Sequence, residues 1–137
     1  MIISKIKEWW VSLWKKESKL KGLFLDDERN PQDVTWVKYP KHVEWVVVRS
    51  YDEFFYEFHR GQFQVISFDH DIQDYNRHGV EMTGYTVLKA MIDYLIDNEE
   101  SCRMPEQVFF HTQNPIGKVN MKSYWDSFCK HCKEENE

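Results

Sequence analysis

Apolar runs of strand length alternate with segments of helical periodicity along most of this chain. The runs cover residues 23–25, 45–48, 65–68 and 108–110. Between them, apolar residues recur with the spacing that is typical of helices burying one face. This alternation predicts an α/β domain in which a four-stranded parallel sheet is covered by helices.

Three amphipathic helices are predicted, after the second, third and fourth strands. The first begins at a capping box formed by Ser50 and Glu53 and ends before Gly61. The second has an apolar stripe over residues 85–96, and the third over residues 121–129. Each helix follows a strand, as the connections of a parallel sheet require.

The two remaining long connections are polar. Residues 28–44 contain Pro31 and Pro40 and show no sustained period, so we expect an irregular crossover there rather than a helix. Residues 73–81 follow the third strand and are long enough to act as a lid over a site at its end.

Side chains with catalytic or ligand chemistry stand at the ends of three strands. Right-handed crossovers and a reversal of direction after the first strand predict the strand order 2-1-3-4. The carboxyl ends of strands 1, 3 and 4 would then face one crevice. The residues gathered there are Asp26 and Asp27, then Asp69, His70 and Asp71, and finally His111, Thr112 and Asn114.

The first residues form a separate unit, which divides the chain into an extension over residues 1–20 and a domain over residues 21–137. Apolar residues that include Trp9, Trp10 and Trp14 recur among lysines and predict an N-terminal amphipathic helix. Such a helix docks on a partner, mediates dimerisation or lies on a membrane surface. It is too short to span a bilayer, and we expect no transmembrane segment.

Length, charge and cysteine content narrow the functional class. The chain of 137 residues suits one core, and its formal net charge of -5 argues against a broad nucleic-acid surface but not against a small nucleotide. Three cysteines without a signal-peptide pattern favour a cytoplasmic location. Cys129 and Cys132 lie on the apolar stripe of the last helix, so we expect core packing, with a metal or redox role as the alternative.

The carboxylates at the strand ends predict a cation site. Asp26, Asp27, Asp69 and Asp71 would repel one another unless some take up protons or share a cation. Oxygen ligands favour Mg²⁺, Mn²⁺ or Ca²⁺, and histidine ligands would shift the preference toward Mn²⁺, Fe²⁺ or Zn²⁺. A single aspartate pair is also common in turns. Two acidic clusters with two histidines favour a divalent metal, with Mg²⁺ or Mn²⁺ expected.

Three further residues suit a phosphate ligand. Arg29 follows the acidic pair, where a guanidinium can contact two phosphate oxygens. Thr112 and Asn114 can donate hydrogen bonds to ester or ribose oxygens. The alternatives are local, since Arg29 can pair with a neighbouring acid and Asn114 stands before Pro115, as turn residues often do.

Three motifs, in order along the chain, resemble a known family. LFLDDERNP, VISFDHDI and FFHTQNPIG are similar to the cyclic-phosphate processing receiver-like family, with its LDDxRxP strand end, SFDHDL strand end and HSxNPxG turn. The resemblance covers roughly residues 23–121. Thr112 stands in place of a serine of the pattern, and Ile72 and Gln73 stand in place of a leucine and a glycine.

The resemblance implies a receiver-like, flavodoxin-type three-layer sandwich and a role on cyclic or terminal phosphates, in settings such as RNA repair. In the similar response-regulator receivers, an acidic pair after strand 1 holds Mg²⁺ and an aspartate after strand 3 accepts a phosphoryl group. By position, Asp26 and Asp27 match the acidic pair, and Asp69 matches the acceptor. The receivers' lysine after a fifth strand has no match in this sequence.

Together these features predict a metal-assisted hydrolase for phosphoesters of RNA ends or nucleotides. The expected metal ligands are Asp26, Asp27 and Asp69, and the expected substrate contacts are Arg29, Thr112 and Asn114. The expected catalytic residues, with the histidines transferring protons, are Asp69, His70, Asp71 and His111. Two alternatives stay open: a protein that binds a cyclic nucleotide or another phosphorylated ligand without turnover, and a phosphoacceptor switch at Asp69.

Overall fold

The computed structural model describes residues 19–98 and 104–135, and strands alternate with helices as predicted. The strands are β1 (Leu20–Leu25), β2 (Val43–Val48), β3 (Val65–Phe68), β4 (Asp74–Tyr75), β5 (Glu81–Met82) and β6 (Gln107–Phe110). The helices are α1 (Tyr51–Arg60), α2 (Gly84–Asp97) and α3 (Pro115–Glu135), and a 3-10 turn covers Pro31–Asp33. The four predicted strands and three predicted helices are present, and β1, β2 and α3 are longer than their apolar patterns.

Four strands form a parallel sheet in the order β2-β1-β3-β6, and β4 pairs with β5 in a separate antiparallel ribbon. The predicted order 2-1-3-4 becomes 2-1-3-6 because the two ribbon strands precede the last strand of the sheet along the chain. The ribbon occupies the predicted polar loop, and the Asp74 carboxylate ties it to α1 by accepting the backbone N–H of Tyr51 at 3.0 Å. The carboxyl ends of β1, β3 and β6 lie side by side.

Local sequence accounts for the bounds of α1 and for the crossover before it. The Ser50 hydroxyl accepts the backbone N–H of Glu53 at 3.2 Å, and the helix ends at Gly61, as predicted. The β1–β2 crossover is irregular apart from its 3-10 turn, which confirms the prediction from Pro31 and Pro40.

Alternation along the strands gives the sheet two different faces. One face carries the main core, with Leu23, Leu25, Val46, Val48, Ile66, Phe68, Val108 and Phe110. All three helices contribute buried side chains to this same core. The opposite face is covered by the β1–β2 crossover, whose Tyr39 ring contacts the rings of Phe24, Trp45 and Phe109.

The predicted three-layer sandwich is therefore not what residues 19–98 and 104–135 form. They place α1, α2 and α3 in one layer, while a loop covers the second face, because the proline-containing crossover supplies no helix. The predicted N-terminal helical extension, residues 1–20, lies outside the described residues apart from Lys19 and Leu20, and Leu20 is the first residue of β1. Cys129 and Cys132 pack against the core, as predicted. None of the described helices has the length and apolar character that crossing a membrane needs.

Candidate active site

Three titratable side chains stand directly after β1, β3 and β6, on the side of the sheet away from the helices. They are Asp26, Asp69 and His111. The residue before each of them points into the helical core, so alternation directs these three the other way. Their backbone N–H groups still donate to the neighbouring strand, at 2.9 to 3.1 Å. The sheet thereby positions all three.

Asp26 is completely buried, and both of its carboxylate oxygens have partners. Oδ1 accepts the backbone N–H groups of Glu28 (2.9 Å) and Arg29 (2.8 Å). Oδ2 lies 2.9 Å from His111 Nε2. Burial disfavours the charged form, yet the hydrogen bonds from His111 and the backbone outweigh it and lower the pKa from 3.8 to about 2. Asp26 is therefore ionised at neutral pH.

His111 is also completely buried, and both of its ring nitrogens are engaged. Its ring stacks on Phe24 with 4.3 Å between centroids, and its Nδ1 lies 2.7 Å from Ser67 Oγ. The Ser67 hydroxyl lies 2.7 Å from the Tyr39 hydroxyl. Burial raises the pKa of Tyr39 to about 12, so this hydroxyl keeps its proton.

One assignment of protons that satisfies these contacts has the Tyr39 hydroxyl donating to Ser67 and the Ser67 hydroxyl donating to Nδ1 of His111. The Nε2–H of His111 then donates to the carboxylate of Asp26, which can only accept. His111 is thus a buried donor that holds Asp26. Both ring nitrogens have protein partners, and the predicted role of His111 in proton transfer stays a prediction.

Asp69 is 5% exposed and lies beside Asp26. Its Oδ1 accepts the backbone N–H of His70 at 2.8 Å, and the Thr112 side chain hydrogen-bonds to the same carboxylate. Burial and the charge of Asp26 raise the pKa of Asp69. Thr112 is buried, and its hydroxyl also accepts the backbone N–H of Asn114 at 3.1 Å. Thr112 also lines the cleft, and its predicted contact with a substrate stays a prediction.

The carboxylates fit a hard cation. Atoms of Asp26, Asp69 and His111 that can ligate a metal lie within 4.8 Å of one another. Since His111 presents an N–H, the oxygens of the two aspartates are the ligands available. Asp27 lines the same cleft, and burial raises its pKa. A cation among these carboxylates would relieve their repulsion, and oxygen ligands suit Mg²⁺ or Mn²⁺.

The cleft in front of the carboxylates has a volume of about 360 Å³. It is lined by Asp26, Asp27, Glu28, Arg29, Asp69, Asp71, Gln73, Thr112, Gln113 and Asn114. The sequence-based prediction of one shared crevice therefore matches the structure for most of the predicted residues. His70 and His111 are not among those that line it.

Arg29 is the cationic residue of this lining, and it connects two walls of the cleft. Its Nη1 lies 3.7 Å from Asp26 Oδ2, and its Nη2 donates to Gln113 Oε1 at 3.2 Å. Its guanidinium also lies over the Trp36 ring, 5.3 Å from the centroid. These contacts orient the guanidinium before any anion binds.

His70 does not line the cleft, but it contacts Asp71, which does. Its Nδ1 lies 2.8 Å from Asp71 Oδ1, and its ring packs so tightly on Gly117 that an added Cβ would lie 2.5 Å from ring carbon Cγ. Asn114 donates to Asp71 Oδ2 (3.1 Å) and caps α3 by accepting the N–H of Gly117 (3.0 Å). The hydrogen bond from His70, only partly offset by burial, lowers the pKa of Asp71.

Arg49 positions the loop that carries the acidic pair. Its Nη1 donates to the backbone carbonyls of Asp26 (3.1 Å) and Arg29 (2.6 Å), and its Nη2 donates to Asn30 Oδ1 (2.8 Å). Arg49, the first residue after β2, thus holds the turn that follows β1.

The sequence did not single out Glu28, Gln73 and Gln113 of the lining, nor four residues that support the cleft without lining it. Ser67 had a signal, because a hydroxyl inside the apolar strand VISF must find a partner when it is buried. Tyr39, Trp36 and Arg49 had none, since they lie in or beside a crossover without periodic pattern, and only the folded chain brings them to the strand ends.

Comparisons with known proteins agree with the motifs and the fold. The family model described as the Cyclic-phosphate processing Receiver domain matches residues 21–127. That range contains every residue of the cleft. It also contains the whole parallel sheet apart from Leu20, the first residue of β1. No curated protein and no solved structure gives a significant match to the chain. The chain therefore belongs to the cyclic-phosphate processing receiver domain family.

Proposed function

We propose that this protein is a metal-assisted phosphoester hydrolase that acts on cyclic or terminal phosphates of nucleotides or RNA ends. The observation that carries the proposal is the grouping of Asp26 and Asp69 beside Arg29 in one cleft. Two adjacent carboxylates suit a cation, and an oriented guanidinium suits a phosphate anion. The family's description as cyclic-phosphate processing supports the same substrate class.

Asp26, Asp27 and Asp69 would hold the cation, Mg²⁺ or Mn²⁺. When bound, the cation would polarise the phosphate and lower the pKa of a water molecule. Asp26 contributes a permanently charged carboxylate, because its low pKa keeps it ionised. His111, Ser67 and Tyr39 act behind Asp26 as positioning residues, since their hydrogen bonds fix its Oδ2.

Arg29 would bind the phosphate and stabilise the charge that develops on it. Its bond to Gln113 and its stacking on Trp36 hold the planar guanidinium in one orientation. A lysine cannot reproduce two parallel N–H donors, so a lysine at this position would bind the phosphate less well.

Asp71 would accept the proton of the attacking water. It lines the cleft, its lowered pKa keeps it ionised at neutral pH, and His70 and Asn114 hold its two oxygens in place. For a 2',3'-cyclic phosphate, water would add to phosphorus and one ribose P–O bond would break. The water proton would pass to Asp71 and from there, through solvent, to the released ribose oxygen, which leaves Asp71 ionised again. The product would be a phosphomonoester.

A panel of phosphate esters, incubated with Mg²⁺, Mn²⁺ or EDTA, tests this proposal. It should include a nucleoside 2',3'-cyclic phosphate, a cyclic dinucleotide and an RNA with a 3'-phosphate end. We expect turnover of at least one ester that requires the cation, with products identified by mass. Asp71→Asn should slow it while Asp93→Asn, an exposed change on α2, should not. Cation-independent turnover, or none with any ester, would contradict the proposal.

A second candidate is a protein that binds the same phosphates without turnover. The observation that favours it is the placement of His70 and His111, because neither imidazole lines the cleft. In that case the ligand should raise the melting temperature and be recovered unchanged after incubation.

An acid-labile, stoichiometric adduct on Asp69 after treatment with a small phosphodonor would instead indicate a phosphoacceptor switch.

A further inference from the structure

An exposed indole stands beside the acidic cleft. Trp36 is 41% exposed, although its Nε1–H is satisfied by the backbone carbonyl of His111 at 2.8 Å. Its ring also carries the guanidinium of Arg29, 5.3 Å from the centroid. Arg29 lines the cleft and lies 3.7 Å from Asp26, so the Trp36 ring borders the cleft at its phosphate-binding end.

Packing does not explain why the Trp36 ring is held there. The ring is not part of the main core, and Tyr39 already covers Phe24, Trp45 and Phe109 on that face of the sheet. The position of the Trp36 ring indicates a binding role, because the ring is half-exposed, fixed by its Nε1–H bond and next to the guanidinium that lines the cleft.

We propose that Trp36 stacks on the base of a nucleoside phosphate whose phosphate lies at Arg29. The inference rests on the proposed function for the phosphate end of the cleft and adds the residue that would contact the base of the ligand. Every base has a π face that an indole can contact, so this subsite distinguishes ligands with a base from ligands without one, rather than one base from another. The Arg29 guanidinium contacts both the Trp36 ring and the Asp26 carboxylate. The proposed sites for the base and for the phosphate are therefore neighbours.

The α1 helix offers a matched control. Tyr56 is also an exposed aromatic ring under a guanidinium, since Arg60 lies 4.7 Å from its ring centroid. It lies on α1, and neither residue of this pair lines the cleft. Tyr56→Leu therefore removes an exposed ring and a cation–π contact without touching the proposed subsite.

Calorimetric binding of two phosphates tests the subsite directly. Adenosine 3'-phosphate carries a base, and glycerol phosphate does not. In the presence of Mg²⁺, we expect the parent protein to bind the adenosine compound about tenfold or more tightly than glycerol phosphate, as one base–aromatic stack predicts. Trp36→Leu should reduce the ratio of the two Kd values to about one, whether or not the loss of its contact with Arg29 weakens the binding of both phosphates. Trp36→Phe should keep most of it, and Tyr56→Leu should keep all of it.

Two results would overturn the inference. If Trp36→Leu weakened both phosphates equally, Trp36 would serve only to orient Arg29. If it weakened neither, or if Tyr56→Leu had the same effect, the ring would have no part in recognition.

A parallel assay separates this inference from the proposed hydrolysis. Adenosine 2',3'-cyclic phosphate and glycerol 1,2-cyclic phosphate present the same reactive ring with and without a base. Base-dependent binding without turnover would support the subsite and contradict the hydrolase. Turnover of both with equal KM would support the hydrolase and contradict the subsite. If neither class of phosphate bound, both would be wrong.

Discussion

The two faces of the central sheet differ in chemistry although they are one residue apart along every strand. On the helical face, Leu25, Phe68 and Phe110 are buried among the side chains of α1, α2 and α3. On the opposite face, Ser67 and His111 form buried hydrogen bonds that end at Asp26. A shift of one position thus separates residues that stabilise the fold from residues that shape the cleft.

The difference between the two faces shows how this fold accommodates the buried, ionised carboxylate of Asp26. Apolar packing on one face supplies stability, whereas the other face contains a carboxylate that is held ionised by a chain of donors. Substitutions on the two faces should therefore change different properties of the protein: unfolding free energy on the helical face, and activity or pH dependence on the other.

The largest expected effect on stability comes from the helical face. Phe68→Ala should lower the free energy of unfolding by about 3–5 kcal/mol, because the fully buried ring leaves a cavity among three helices. Urea unfolding measures this. A loss below about 1 kcal/mol would mean that this face is not the main source of stability.

Asp69→Asn should instead reduce activity with little cost in stability. Turnover of the preferred phosphate should fall about hundredfold or more, because a carboxylate beside the reacting group is lost. The raised pKa of Asp69 means that its charge opposes folding in the metal-free protein, so the variant should be as stable as the parent or more so. Asp93→Asn on α2 is the matched control. Equal losses of activity in both variants would exclude a specific role for Asp69.

The low pKa of Asp26 predicts an acid dependence of stability. Its folded pKa of about 2 lies below the ordinary 3.8, so its stabilising contribution is complete above 3.8 and is lost as pH falls toward 2. The expected size is about 2 kcal/mol. Asp26→Asn should remove this part of the pH profile when urea unfolding is followed between pH 5 and pH 2. An unchanged profile in the variant would contradict the assignment.

The smallest expected effect concerns the donor chain itself. Tyr39→Phe removes one hydroxyl, which should cost about 1 kcal/mol of stability. The chemical shift of His111 Nδ1 should move, because Ser67 is no longer directed toward it, whereas that of Nε2, which donates to Asp26, should change less. Tyr75→Phe, at an exposed position of the β4–β5 ribbon, is the control. An unaltered His111 spectrum in Tyr39→Phe would contradict the proposed chain.

The sheet and most of the cleft could be predicted from the sequence for a physical reason. Strand ends are marked by a change from apolar to charged residues, as from Leu25 to Asp26 and from Phe68 to Asp69. Parallel strands that are adjacent must bring such ends together. Register then follows from the alternation that buries one face.

The roles of the two histidines could not be predicted, since they depend on partners that are distant in sequence. The orientation of His70 is set by close packing on Gly117, and the nitrogens of His111 are taken up by Ser67 and Asp26. Tyr39 reaches this chain from a crossover without periodicity. Motif spacing shows that such residues come close together, but not which atoms they present to a ligand.

Hydrolysis of a nucleoside 2',3'-cyclic phosphate, followed with Mg²⁺ or Mn²⁺ and with EDTA, tests the central claim most directly. The parent protein should open the ring only with the cation, Asp69→Asn should be about hundredfold slower or worse, and Asp93→Asn should match the parent. Ring opening that is unaffected by EDTA, or equally fast in Asp69→Asn, would show that the carboxylates after β1 and β3 are not the reactive centre.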